Sequence, residues 1–313
     1  MNEVKIVFMG TPVFAANVLQ KLIDEKYEIV LVVSQPDRPV GRKKELLPTA
    51  VKKVALDHGI SVFQPERIND DYQAIIAAKP DIVITAAYGQ IIPKAVLDAP
   101  RLGCINVHAS LLPKYRGGAP IHQAIINGEE ETGITIMYME EAMDTGDIIA
   151  QSSLPILDTD DVGTLFEKLS IVGANLLVET LPLLENNKAA RIPQDKELAT
   201  YAWNIKREQE LIKWSKSARG IFNQIRGLHP WPVAYTKITG VNVKVFKAIE
   251  LHEATDINIG RIVRVNREGL DVACGDGKVL RLLEVQIAGK KRIPLKDLLN
   301  GTHPFIVGEK LGE

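Results

Sequence analysis

The sequence predicts two domains, an α/β domain on a mostly parallel sheet followed by a smaller all-β domain. Three observations carry that expectation. Short apolar strands alternate with helical stretches through most of the first 190 residues, the pattern of strand–helix–strand units. From Val233 onward, about five short strands are separated by turn signals at Asn242, Gly260, Gly269, Gly275-Asp-Gly277 and Gly289. A length of 313 residues suits two domains of ordinary size.

In chain order, Val4–Gly10 reads as a buried strand. Thr11 and Pro12 read as the N-cap and first residue of a helix to about Asp24, and Glu28–Val33 is the second strand. This opening is Rossmann-like, but the turn Gly10-Thr-Pro-Val-Phe-Ala15 lacks the later glycines of the dinucleotide fingerprint, so NAD is not expected. Gln35–Pro48 carries prolines, a glycine and the basic residues Arg38, Arg42, Lys43 and Lys44. It is expected to be an irregular loop, either contacting phosphates or simply solvated.

A helix over 48–58, a short strand at 61–63 and a helix over 70–78 lead to the strand Asp81–Ala87, ended by Tyr88-Gly89. The strand Gly103–Ser110 follows and runs into a Pro/Gly-rich loop. Both strand ends should lie at the carboxyl edge of the sheet, where open α/β folds place ligands. Next come a short helix (121–127), a strand (132–139), a turn cluster bearing Asp144 and Asp147, and a strand over 150–156. Val162–Glu185 is a long amphipathic helix with Leu165, Leu169, Val172, Leu176 and Leu177 on one stripe. The expected boundaries are 1–188 for a catalytic domain, 189–206 for a linker, and 207–313 for an OB-like β-barrel domain.

Composition narrows the class. Hydrophobic residues make up 46% and charged residues 25%, ordinary for a globular protein. No apolar run approaches the ~20 residues of a membrane helix, and the N-terminus enters a strand without a leader pattern. Two cysteines, Cys104 and Cys274, make neither a disulfide framework nor a metal pair. A cytoplasmic monomer without metal is expected. Net charge is −1, yet Tyr201–Glu313 holds 19 Lys/Arg against 12 Asp/Glu, and the first 200 residues hold 19 against 27. That asymmetry suits an acidic enzyme half and a basic half that meets a polyanion, or it is uneven solvation of lysines.

Asn106 and His108 are two apart, so they share one face of an extended strand. Two polar side chains on an apolar strand need partners or a function; they read either as a site or as a satisfied core Asn and a capping His. Should Asp144 converge with them, a carboxylate could orient the imidazole, the histidine could act as general base or acid, and the Asn amide could donate to a developing oxyanion. Asp144 could equally be a turn cap. Cys104 is apolar in context and Ser110 has no nucleophile-elbow motif, so direct transfer to an external nucleophile is favoured over an acyl-enzyme.

Asn106-Val-His108, then Ser110-Leu-Leu-Pro-Lys-Tyr-Arg-Gly117, then Asp144-Thr-Gly-Asp147 resembles the signature of the 10-formyltetrahydrofolate-dependent formyltransferases. Gly10-Thr-Pro12, Gln35–Pro39, Ala87-Tyr-Gly89, His229-Pro-Trp-Pro232 and Gly275-Asp-Gly277 extend the likeness, across almost the whole chain, to the branch acting on methionyl-tRNA. The resemblance implies formyl transfer from 10-formyltetrahydrofolate to the α-amine of methionyl initiator tRNA. It implies catalysis by Asn106, His108 and Asp144, and a folate site along Ser110, Leu111, Leu112 and Pro113 near Tyr88 and Gly89. It implies tRNA contacts from Arg38, Arg42, Lys43 and Lys44 and, on the barrel, from Lys290, Lys291 and Arg292. A sugar-nucleotide N-formyltransferase with the same folate site is one alternative; a non-catalytic tRNA-binding protein is another.

Overall fold

The computed structural model describes residues 4–40 and 45–312. In order, the elements of the first 200 residues are β1 (Lys5–Gly10), α1 (Val13–Asp24), β2 (Glu28–Val33), β3 (Arg38–Val40), β4 (Glu45–Leu47), α2 (Ala50–Asp57), β5 (Val62–Phe63), α3 (Gln73–Ala77), β6 (Ile82–Ala86), α4 (Lys94–Leu97), β7 (Cys104–His108), α5 (Pro120–Asn127), β8 (Glu131–Tyr138), β9 (Ile148–Pro155) and α6 (Val162–Glu185). The chain forms two compact units. The first comprises 1–120, 131–155 and 166–203; the second comprises 121–130, 156–165 and 204–313.

The first unit is built on a seven-stranded sheet ordered β5-β2-β1-β6-β7-β8-β9. The pairs from β5 to β7 are parallel, and β8 and β9 add antiparallel. β6 is buried at every position and β1 at all but its first, which is why both read as unbroken apolar runs. Val7, Met9, Val33, Ile75, Val83 and Val96 pack into one core cluster with Cys104. Strand order reverses between β1 and β6, so the carboxyl ends of β1, β6 and β7 form the edge where ligands are expected.

Two local expectations are corrected. The N-cap of α1 is Pro12 rather than Thr11. The Thr11 hydroxyl is taken by the Tyr88 carbonyl (3.2 Å) and the Gln35 N–H (3.3 Å), and proline has no N–H to leave unpaired. The stretch 35–48 is not wholly irregular: Arg38, Pro39 and Val40 pair with Leu47, Leu46 and Glu45 in an antiparallel ladder. Residues 41–44 lie outside the described residues.

The second unit contains α7 (Arg207–Glu210), α8 (Ala218–Gly227), β10 (Tyr235–Ile238), β11 (Val241–Ala254), β12 (Ile262–Asn266), β13 (Gly269–Ala273), β14 (Lys278–Ile287), β15 (Ile293–Pro294) and α9 (Leu295–Leu298). Its antiparallel sheet runs β10-β11-β14-β13-β12, with β15 beside β14. β11 and β14 are longer than the short strands expected, at 14 and 10 residues. The ladder itself is open, but Gly312 exchanges both backbone hydrogen bonds with Lys237 of β10 (3.1 and 2.8 Å), and Gly308 donates to Ile262 of β12 (2.8 Å). The C-terminal residues thus cover both edges, an arrangement compatible with the OB-like expectation. Among the described residues no helix is long and apolar enough to cross a membrane.

Candidate active site

Asn106 and His108 face the same side of β7, as their spacing predicts. Cys104, two residues earlier on that regular strand, donates to the Val96 carbonyl (3.4 Å), and burial pushes its thiol up to about 12. It is a core residue and no nucleophile. The Ser110 hydroxyl donates to the Lys114 carbonyl at 2.7 Å, which engages its one proton.

Asn106 is half-buried. Its Oδ1 accepts from the Thr85 hydroxyl of β6 at 2.8 Å, so the amide nitrogen is the end left to present. No acceptor engages that nitrogen among the described residues. A fixed, unpartnered donor of this kind suits an oxygen gaining negative charge.

His108 is 6% exposed, and its Nε2 lies 3.0 Å from the Tyr115 carbonyl. A carbonyl only accepts, so Nε2 carries the proton and, in the neutral ring, Nδ1 is the basic atom. Nδ1 faces Asp144 Oδ2 at 3.8 Å, too long for a hydrogen bond but within ion-pair distance. Asp144 takes a left-handed backbone conformation (φ 53°), one Asp tolerates better than most residues. Its Oδ2 accepts the Gly117 N–H at 2.7 Å, so it also caps the loop. Gly117 has φ 117°, and a Cβ there would meet the Ala202 carbonyl oxygen at 2.8 Å. In the Asp-Thr-Gly turn, a Cβ on Gly146 would sit 2.0 Å from the Tyr138 carbonyl oxygen. Only glycine fits either position.

The Ser110–Pro113 segment is held from behind by Thr135 of β8. Its hydroxyl donates to the Ser110 carbonyl (2.6 Å) and accepts the Leu112 N–H (3.1 Å), and Gln151 of β9 donates to the Leu112 carbonyl (2.9 Å). With those polar groups satisfied internally, the loop has apolar side chains rather than hydrogen-bonding groups to offer a ligand. Pro113 follows Leu112 through a cis peptide. Tyr88 packs in the core cluster, its phenol raised to about 12 by burial and its hydroxyl without a partner among the described residues, while its carbonyl binds Thr11 and Gln35. Among the described residues no hydrogen bond joins Tyr88 or Gly89 to the 110–113 loop.

Sequence reasoning missed the residues that fix this arrangement. Thr85 carried a readable signal, a hydroxyl inside an apolar strand. Gln194 and Thr200 carried none, because 189–206 looked like a linker. In the structure the segment is bonded along the site loop. Thr200 accepts the Tyr115 N–H through its hydroxyl (2.9 Å) and the Arg116 N–H through its carbonyl (2.9 Å), and Ala202 N–H donates to the Arg116 carbonyl (2.7 Å). Gln194 Nε2 donates to the carbonyls of Asp144 (2.9 Å) and Gly146 (2.8 Å), and its Oε1 accepts from Arg116 Nε (3.0 Å) and Nη2 (2.7 Å). Gln194 therefore ties the Asp144 turn to the His108 loop. Gln194→Leu is expected to lower kcat roughly 10- to 100-fold with substrate KM values nearly held, since small misplacements of reacting groups are costly. Steady-state kinetics read this; an unchanged kcat would show that the turn is fixed without it.

Of the basic residues, Arg38 pairs with Glu66 at 2.9 Å on the surface. Arg42, Lys43 and Lys44 lie outside the described residues. Lys290 and Lys291 are exposed with no ion pair among the described residues. Arg292 is already committed: it binds both oxygens of Glu284 (2.8 and 2.7 Å) and stacks over Phe246 at 4.2 Å.

A family model described as formyl transferase matches residues 4–181, and one described as formyl transferase, C-terminal domain, matches residues 204–303. The chain is 53% identical to methionyl-tRNA formyltransferase of Bacillus subtilis over 98% of each chain. It is 52% identical to the Geobacillus sp. protein of the same name, over 99% of this chain and 98% of that one. Among solved structures, an N-formyltransferase from Helicobacter canadensis, in complex with folinic acid and dTDP-3-aminofucose, matches with TM-score 0.69 at 22% identity, covering 89% of this chain and 98% of that one. HypX from Aquifex aeolicus, in complex with tetrahydrofolic acid, matches with TM-score 0.68 at 16% identity, covering 95% of this chain and 47% of that one. At those identities the structures show the fold alone.

Proposed function

The chain belongs to the formyl transferase family, and on that premise we propose that it transfers a formyl group from 10-formyltetrahydrofolate to the α-amino group of methionyl initiator tRNA. The product, N-formylmethionyl-tRNA, serves translation initiation. Identity above 50% along the whole chain to proteins that carry that name supports the acceptor. The observation that carries the chemistry is an Asn106 Nδ2 with no acceptor among the described residues, on the same strand as the His108 that faces Asp144.

Each role follows from an atom. Asn106 Nδ2 donates to the formyl oxygen as the amine attacks and charge builds on it; such a donor is worth about 3 kcal/mol of barrier. His108 Nδ1 takes the proton that the attacking amine must lose, and Asp144 stabilises the imidazolium at 3.8 Å. The same proton can then pass to the nitrogen that leaves. Leu111, Leu112 and Pro113 supply the apolar wall of the folate site, reached from the end of β6 at Tyr88 and Gly89. Residues 1–188 carry the chemistry, 207–313 the tRNA, and 189–206 join them. The reading places a monomer in the cytoplasm, where initiator tRNA is charged.

Arg38, Arg42, Lys43 and Lys44 meet the acceptor end of the tRNA, and Lys290, Lys291 and Arg292 its phosphates. Because Arg292 is paired with Glu284, the salt-dependent share falls to the two lysines. Replacing Lys290 and Lys291 with Gln is expected to weaken tRNA binding and reduce the slope of log K against log salt by up to about 2. An unchanged slope in a filter-binding titration would place them off the interface.

Transfer is tested with labelled 10-formyltetrahydrofolate and three acceptors: methionyl initiator tRNA, methionyl elongator tRNA and an amino-sugar nucleotide. Formylation of the initiator alone is expected. Formylation of the sugar and not the tRNA would overturn the reading.

A further inference from the structure

Next to the site loop, Tyr201 and Trp203 form a parallel aromatic stack in the first unit. Their ring centroids are 5.3 Å apart and their planes differ by 4°. Both are exposed, at 50% and 59%. A ring covered on one side by its partner and still half in solvent has an open outer face. The backbone beneath is fixed. Tyr201 bridges Arg116, and Ala202 turns inward, fully buried, with its carbonyl accepting the Ala119 N–H at 3.0 Å. With period two along an extended segment, Tyr201 and Trp203 share the outward side. Arg116 also follows Tyr115, whose carbonyl holds His108 Nε2. The stack is therefore joined by a single backbone bridge to the loop residue that follows the one holding His108.

Catalysis uses neither ring, and the core does not need them. Two large apolar side chains held in solvent, already ordered against each other, make a preorganised flat surface. Arg116 beside them is 4% exposed and binds only the neutral amide of Gln194 through its side chain, with no ion pair among the described residues. Its uncompensated charge favours an anionic neighbour.

We propose that Tyr201 and Trp203 are a stacking platform for a nucleobase at the single-stranded 3′ end of the acceptor tRNA. The proposal rests on the tRNA reading above and adds the surface that positions the nucleotide carrying the methionine. Any base has a π face, so the platform holds the end without reading its sequence, and the phosphate beside that nucleotide meets the field of Arg116. Holding the terminal nucleotide beside the site loop brings the tethered amine toward His108.

The test uses the full-length enzyme and four forms: wild type, Trp203→Ala, Trp203→Leu and Trp203→Phe. Trp203→Ala is expected to raise KM for methionyl initiator tRNA about tenfold, within the range that loss of one base–aromatic stack produces, while kcat falls much less and KM for 10-formyltetrahydrofolate stays put. Trp203→Phe should recover most of the loss, and Trp203→Leu, apolar but not planar, should not. As a second readout independent of turnover, uncharged initiator tRNA should quench a component of tryptophan fluorescence that is missing in Trp203→Phe. A tRNA KM unmoved in Trp203→Ala, or full recovery by Leu, overturns the platform. A rise in the folate KM instead assigns the stack to the folate's aromatic ring and also overturns it. Failure of wild type to formylate any tRNA is a separate result, which removes the reading beneath.

Discussion

Replacing His108 with alanine is expected to lower kcat by about 10² to 10⁴, the usual contribution of a positioned general base, and to leave tRNA affinity close to wild type. The geometry separates the two effects. Nε2 is consumed by the Tyr115 carbonyl, so the imidazole can act only through Nδ1, which points at Asp144. At 6% exposure the ring offers no surface to a nucleic acid. Burst-phase kinetics at saturating tRNA, with affinity measured separately by filter binding, would read both quantities. A large loss of affinity would mean the histidine contacts the tRNA; an intact chemical step would mean another group moves the proton.

The second large effect is on stability. Asp271 of β13 is fully buried and binds two arginines: Arg281 Nε and Nη2 (2.6 and 2.9 Å) and Arg264 Nε (2.7 Å). Arg264 extends the network to Glu253 at 2.5 Å, and Arg281 to Glu268. The carboxylate raises the pKa of both guanidiniums, most strongly that of Arg281, so neither can shed its charge. Asp271→Ala leaves the mostly buried Arg281 guanidinium without its main partner. Breaking a buried pair in this way costs about 3 to 5 kcal/mol, enough to lower the Tm of the second unit by roughly 10 °C. Asp271→Asn, which keeps acceptor and shape while losing charge, should cost less. Calorimetry on the full chain checks this; a loss below about 1 kcal/mol would mean that water or Glu268 takes over.

These arginines explain part of what the sequence could not say. Counting basic residues after Tyr201 suggested a polyanion surface, yet Arg264, Arg281 and Arg292 are answered by Asp271, Glu253, Glu268 and Glu284. Those pairs form across strands whose register is invisible in one dimension. The parallel sheet was legible because β1, β6 and β7 are buried on both faces, and α6 because one apolar stripe runs its length. Asn106 and His108 stood out as polar residues on an apolar strand. Asp144 needed the family resemblance, since a carboxylate in a turn is ordinary. The β3–β4 hairpin was not legible: among its residues with a described environment all are exposed, so no burial pattern marks it. Gln194 and Thr200 were hidden for a different reason. Much of their work is done by backbone groups and one amide, in a stretch with no periodicity, on partners 48 to 85 residues away.

The formyl group is expected to pass directly to the tRNA-bound amine under the Asn106 amide. Single-turnover transfer of labelled formyl from 10-formyltetrahydrofolate to methionyl initiator tRNA measures it, in wild type and in Asn106→Ala. Label is expected on the methionyl amine with no labelled protein at any time, and the rate in Asn106→Ala should be lower by about 10² to 10³. Label retained on the protein, or equal rates in the two enzymes, would contradict it.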